Sequence, residues 1–156
     1  MNNKGFILPL AIAVLSLAFA VFLIARPNNI QQSNQKWTSE TQLEIDTIGK
    51  ALDKYWNDTN KLPSNNTKDQ LLSLIYNSQN LPGWNGPYID SNSNKITKDE
   101  FRHNFIYKCD LSNCTKVVII SKGKDGTLNS QYNNFDFNNG FPWQAAGDDI
   151  IFTKSF

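Results

Sequence analysis

Few side chains in this sequence are placed to do chemistry. Cys109 and Cys114 sit in KCDLSNCT with a short polar interval between them. That spacing suits a small disulfide loop if the domain lies in an oxidising compartment, and a spare thiol pair if it does not. It lacks the two-residue interval and further ligands of a zinc site. His103 is the single histidine. No serine or cysteine stands beside it as a nucleophile, so it reads as a structural or exposed imidazole. Asp99 and Glu100 are adjacent, and on a strand they would point to opposite faces, a poor arrangement for acid and base on one bond. Trp37, Trp56, Trp84 and Trp143 read as core or interface anchors rather than a ligand box. With no phosphate-binding glycine loop either, the residues point away from an enzyme.

The elements that must carry these residues follow from composition and periodicity. The 156 residues hold 15 Lys and Arg against 14 Asp and Glu, a net charge of +1. No long-range field favours a polyanion, so a nucleic-acid partner is not expected. Phe6 to Ala25 carries no charge and is flanked by Lys4 and Arg26. A run of about 20 apolar residues is long enough to span a bilayer as a helix. Ala18-Phe19-Ala20 offers a signal-peptidase site, but the apolar run continues beyond it to Ala25, longer than a signal core. The remainder suffices for one domain.

Ile45, Ile48, Leu52 and Tyr55 recur at helical spacing, with Thr38 or Ser39 as a possible start and Asn60 with Pro63 as a stop. TKDQLLSLIYNS predicts a second, shorter helix burying Leu71, Leu72, Leu74 and Ile75. LPGWNGPYIDSN is a turn-rich connector. Strands are predicted over 104–108 and 115–121, joined by a hairpin at 110–113, with a last strand over 150–153. The polar stretch TLNSQYNNFDFNNGFPWQAAG is a long loop that something must hold.

Several of these stretches together carry a resemblance. Gly5-Phe6 opens the apolar run behind a short Lys-containing leader, and Pro27 follows it. Then come Trp84 to Tyr88 (WNGPY), Asp99 with Phe101, Ser121 to Gly126 (SKGKDG), and Asp149-Ile150. In this order they resemble the type IV pilin-like family, and within it the major pseudopilins, or G subunits, of type II secretion. The resemblance implies an α+β, pilin-like fold: a long N-terminal transmembrane helix packed on a small antiparallel β-sheet domain. The implied segments are a leader over 1–5, a transmembrane helix over 6–26, its continuation over 27–60, and a globular domain over 61–156. It also implies a single-pass protein of the bacterial inner membrane with its domain in the periplasm. A prepilin peptidase would cut between Gly5 and Phe6, and Phe6 would be N-methylated. The other implied partners are pseudopilin subunits, in homo- and hetero-assembly, and the inner-membrane secretion platform.

The function implied is structural: a subunit of a type II secretion pseudopilus or pilus-like filament that takes part in exporting folded proteins across the outer membrane. Where the family carries an assembly Glu this chain has Leu10, which keeps open a single-span anchored binding domain that does not polymerise. The resemblance also implies calcium, held by Asp125, Asp148 and Asp149 with a backbone contribution near Ser121. Hard carboxylate oxygens from both ends of a loop suit that ion. The stretch after Asp-Gly is Asn-rich and aromatic here, rather than Gly-rich with a Glu, so solvated turn aspartates are the other reading.

Overall fold

The computed structural model describes residues 7–65, 70–90, 96–110, 114–130, 135–138, 141 and 143–156, and within the first helix it describes side chains from Gln31 onward. The chain divides into two units, Met1–Lys36 and Trp37–Phe156. The first is helical from Ile7. Helix α1 has the bounds Ile7–Thr59, so no new helix starts at Thr38 or Ser39. The sequence has neither Gly nor Pro between Asn28 and Ile48 to interrupt it.

The second unit is built on the C-terminal part of α1. Thr41, Ile45, Ile48, Gly49, Leu52 and Tyr55 are buried along one face, three to four residues apart. They pack on a three-stranded antiparallel sheet of β1 (Ile106–Cys109), β2 (Lys116–Ser121) and β3 (Ile150–Ser155), in the order β1-β2-β3. Ile106 pairs with Ile120, and Ser121 with Ile150. Central β2 is buried from Val117 through Ser121. Both faces of the sheet are therefore covered, which accounts for an apolar run without alternation. Val117 and Ile119 join the core shared with α1. Val118 and Ile120 meet Phe137, with Phe135, Phe141 and Trp143 packed around them. These aromatics hold the long polar stretch against the sheet.

At Gly49 the helix comes so near the sheet that an added Cβ would lie 2.6 Å from the Phe152 ring. Lys154 of β3 bridges to Asp53 of α1. The outer edge of β1 is closed by a side chain. The Asn65 carboxamide donates to Cys109 O at 2.6 Å and accepts from Cys109 N at 2.9 Å, much as a neighbouring strand would.

Two expectations change. The second helix is a short 3₁₀ turn, Gln70–Leu74. Its last carbonyls serve the connector instead of a longer helix: Trp84 Nε1 donates to Ser73 O, and Tyr88 N to Leu74 O. Leu71 and Leu74 are buried as expected, while Leu72 and Ile75 are half-buried. The larger correction concerns the membrane. Among the described residues no helix is long and apolar enough to cross a membrane. This overturns the transmembrane helix expected over 6–26, and with it the single-pass inner-membrane location and periplasmic placement. Where its side chains are described, α1 carries Lys36, Glu40, Glu44, Asp46, Lys50, Asp53, Lys54 and Asp58. That is roughly a charge per turn, so this part of α1 is no candidate span.

Candidate functional site

Asp99 organises the first of two candidate sites. Its side chain is fully buried, and its acceptors are matched to two separate segments. The His103 backbone N–H donates to Oδ1 at 2.7 Å, and the Ser121 hydroxyl donates to Oδ2 at 2.5 Å. The Ser121 oxygen in turn accepts from Gly123 N at 3.1 Å. The turn is closed by Arg102 N donating to Asp99 O and Asp99 N donating to His103 O, each at 2.9 Å. Its geometry forces Arg102 to a φ of +71°, a left-handed conformation in which a long side chain is uncommon. The His103 ring closes the other side. Its Nδ1 donates to Gly123 O at 2.9 Å, and a Cβ added to Gly126 would lie 2.8 Å from its Nε2. His103 is thus a brace between the Asp99 turn and the SKGKDG turn, and Asp99 and Glu100 do not form an acid–base pair.

Beside this turn lies a concavity of about 600 Å³, lined in part by Trp37, Glu44, Lys98, Asp99, Arg102 and Lys124. Trp37 meets Phe101 edge-on, with ring centroids 6.0 Å apart.

The second site is the neck of the long loop. Asp149 is 6% exposed. Its Oδ2 accepts from Asn129 N at 3.0 Å and Ser130 N at 2.9 Å. Ser130 Oγ accepts from Ala146 N at 2.9 Å. Asp148 Oδ2 accepts from Asp125 N at 3.0 Å, and Asp125 Oδ1 accepts from Thr127 N at 2.7 Å. Asp125 and Asp148 are thus tied to each other through a peptide N–H, while Asp149 is held by the Asn129 and Ser130 peptides.

The neck can be tested as a calcium site on its own atoms. Asp149 Oδ1 is buried without a hydrogen-bond partner, a costly state for a carboxylate oxygen and one a cation would relieve. Against it, no group of three His, Cys, Asp or Glu side chains stands close enough among the described residues to enclose a metal unaided. A calcium ion on Asp149 would have to draw the rest of its shell from backbone carbonyls and water, which calcium accepts, because the described carboxylates do not enclose a metal by themselves.

Cys109 and Cys114 are joined as a disulfide at the mouth of the β1–β2 hairpin. Gly5 and Phe6 lie outside the described residues. Sequence reasoning missed Asn129 and Ser130, whose peptide donors secure Asp149. It also missed the Lys98, Arg102 and Lys124 group, which only the closing of two turns brings together.

The family model for the type II secretion system (T2SS), protein G, matches residues 28–140. No curated protein matches the chain. Among solved structures, the chain aligns with the major pseudopilin from the type 2 secretion system of enterohaemorrhagic Escherichia coli at a TM-score of 0.50 and 19% identity. That alignment covers 80% of this chain and 93% of that one. At this identity the likeness is one of fold.

Proposed function

Since the chain belongs to the type II secretion system protein G family, in which proteins are structural and not catalytic, we propose that it is a pseudopilin subunit. It assembles with copies of itself and with related subunits into a filament that takes part in exporting folded proteins across the outer membrane. The family match over 28–140 is the observation that carries this reading.

In the same reading a prepilin peptidase matures the chain between Gly5 and Phe6, the secretion platform is a further partner, and calcium stabilises the loop neck through Asp125, Asp148 and Asp149. The maturation step is tested by co-expressing the full chain with a prepilin peptidase and measuring its intact mass. The expected product begins at Phe6 and carries one added methyl group. A product that keeps Met1–Gly5 contradicts it, as does one that begins at Val21.

A further inference from the structure

We propose that Asn85 is a site of spontaneous, irreversible modification, at which attack by the Gly86 peptide nitrogen converts the asparagine to aspartate or isoaspartate. Two Asn-Gly pairs occur in the sequence, Asn85-Gly86 and Asn139-Gly140, and the second lies outside the described residues. The reaction needs a carboxamide able to turn back on the next residue. It also needs a peptide nitrogen there that is neither screened by a side chain nor committed to an acceptor. Asn85-Gly86 meets both conditions. Asn85 is exposed, and among the described residues its carboxamide has no hydrogen-bond partner. Only its backbone N–H is engaged, donating to the Tyr88 hydroxyl at 2.7 Å. Gly86 has no Cβ to screen its nitrogen, and among the described residues no acceptor takes its N–H.

Other asparagines are held. The Asn65 carboxamide bonds both peptide groups of Cys109, at 2.6 and 2.9 Å. That of Asn77 accepts from Leu81 N at 2.7 Å and donates to Leu81 O at 3.4 Å. That of Asn129 donates to Asp125 Oδ2 at 3.3 Å and Thr127 O at 3.2 Å. Each must give up these bonds before its Cγ can be attacked. Asparagine is a labile residue in general, and here the fold selects which one reacts.

The step balances without a cofactor. Gly86 N bonds to Asn85 Cγ, closing a five-membered succinimide, while the Cγ–Nδ2 bond breaks and Nδ2 leaves as ammonia with the proton given up by the peptide nitrogen. Water then opens the ring. Cleavage at Cγ gives aspartate, and cleavage at the main-chain carbonyl gives isoaspartate, whose backbone runs through Cβ and Cγ and is one carbon longer. That extra carbon falls in a confined place. A Cβ on Gly86 would lie 2.6 Å from the Trp84 ring and 2.9 Å from the Tyr88 ring, so the backbone has no slack between them. Both flanks are anchored, with Trp84 Nε1 donating to Ser73 O at 3.0 Å and Tyr88 N to Leu74 O at 2.8 Å. The isoaspartate form therefore shifts a ring or loosens one of these bonds, and the connector carries a slow one-way timer. This holds whether or not the chain polymerises.

The test incubates the folded full chain in H₂¹⁸O at mildly alkaline pH, digests it in unlabelled acidic water, and maps the peptides by mass spectrometry with fragmentation that separates aspartate from isoaspartate. Asn85 should take up ¹⁸O as a mixture of both products, at a rate within tenfold of a free peptide of residues 81–90. Its label should exceed that at Asn65, Asn77 and Asn129 at least tenfold. Amide hydrogen exchange over 84–88 should be faster in the aged native chain than in the fresh one, and unchanged by ageing in Asn85→Gln. The proposal is overturned if Asn85 reacts more than tenfold slower than the free peptide, if the three held asparagines label as fast, or if the aged native chain exchanges like the fresh one.

Discussion

Replacing Asp99 by Ala should be among the most damaging single changes in the second unit. The native carboxylate is fully buried and accepts one peptide N–H at 2.7 Å and one hydroxyl at 2.5 Å. Hydrogen bonds to a charged group contribute about 1.5–3 kcal/mol each. Relief of the desolvation of the buried charge offsets part of the loss. The two together give a destabilisation of about 3–5 kcal/mol, or a fall in thermal midpoint of roughly 10 °C for a chain of this size. Asp99→Asn retains an acceptor for the His103 peptide and should cost about 1–2 kcal/mol. Urea unfolding followed by tryptophan fluorescence measures both. A double-mutant cycle with Ser121→Ala isolates the shared bond, with an expected coupling of at least about 1 kcal/mol. A loss below about 1 kcal/mol for Asp99→Ala, or strict additivity with Ser121→Ala, would refute the role of this carboxylate as the brace between the two turns.

Other perturbations probe the remaining contacts. Gly49→Ala gains about 1 kcal/mol of helix propensity but drives a methyl to within 2.6 Å of the Phe152 ring. Overpacking of about 1–3 kcal/mol leaves a net loss near 1 kcal/mol, and Phe152→Leu should recover it in a denaturation series. Reducing the Cys109–Cys114 disulfide, with its sequence separation of 5, should cost about 2 kcal/mol by loop entropy, read as a lower urea midpoint with reductant. Burial, with a smaller contribution from Tyr88, pushes the Tyr55 phenol from 10.0 up to about 12, and burial also raises Tyr107, whose hydroxyl donates to Pro63 O at 2.9 Å. Because both folded values lie above the unfolded one, their contribution is complete below pH 10 and is lost as pH climbs from there through the folded values. The slope is at most about 1.4 kcal/mol per pH unit for each phenol, and Tyr107→Phe should flatten the curve measured between pH 9 and pH 12. Chelator should lower the thermal midpoint of the native chain and leave Asp149→Asn unmoved, with an unchanged native midpoint counting against calcium at the neck.

The central strand was legible because KVVIIS is apolar at every interior position, as a strand covered on both faces requires. The buried stripe of α1 was legible from the spacing of Ile45, Ile48, Leu52 and Tyr55, all found in the core. The cover on the far face of the sheet was not. Phe135, Phe137, Phe141 and Trp143 have no regular period, and their contacts with Val118 and Ile120 are distant in sequence. The bracing role of Asp99 was not legible for a related reason. Its neighbour in sequence is Glu100, but its working partners are Ser121 and the His103 peptide. The neck aspartates were nominated through family resemblance, yet the donors from Asn129 and Ser130 needed the loop to close before they could be recognised. The apolar run at the N-terminus misled in the opposite direction, since hydropathy alone sets length and not use.

Assembly is the property on which the account turns, and photocrosslinking tests it most directly. A benzophenone amino acid placed at the exposed Leu43 position of the full chain, expressed alongside the other pseudopilin subunits and irradiated in cells, should give a ladder of covalent multimers that includes both self-pairs and mixed pairs. A product that remains monomeric under the same irradiation, from a chain shown to be folded, would contradict a filament subunit.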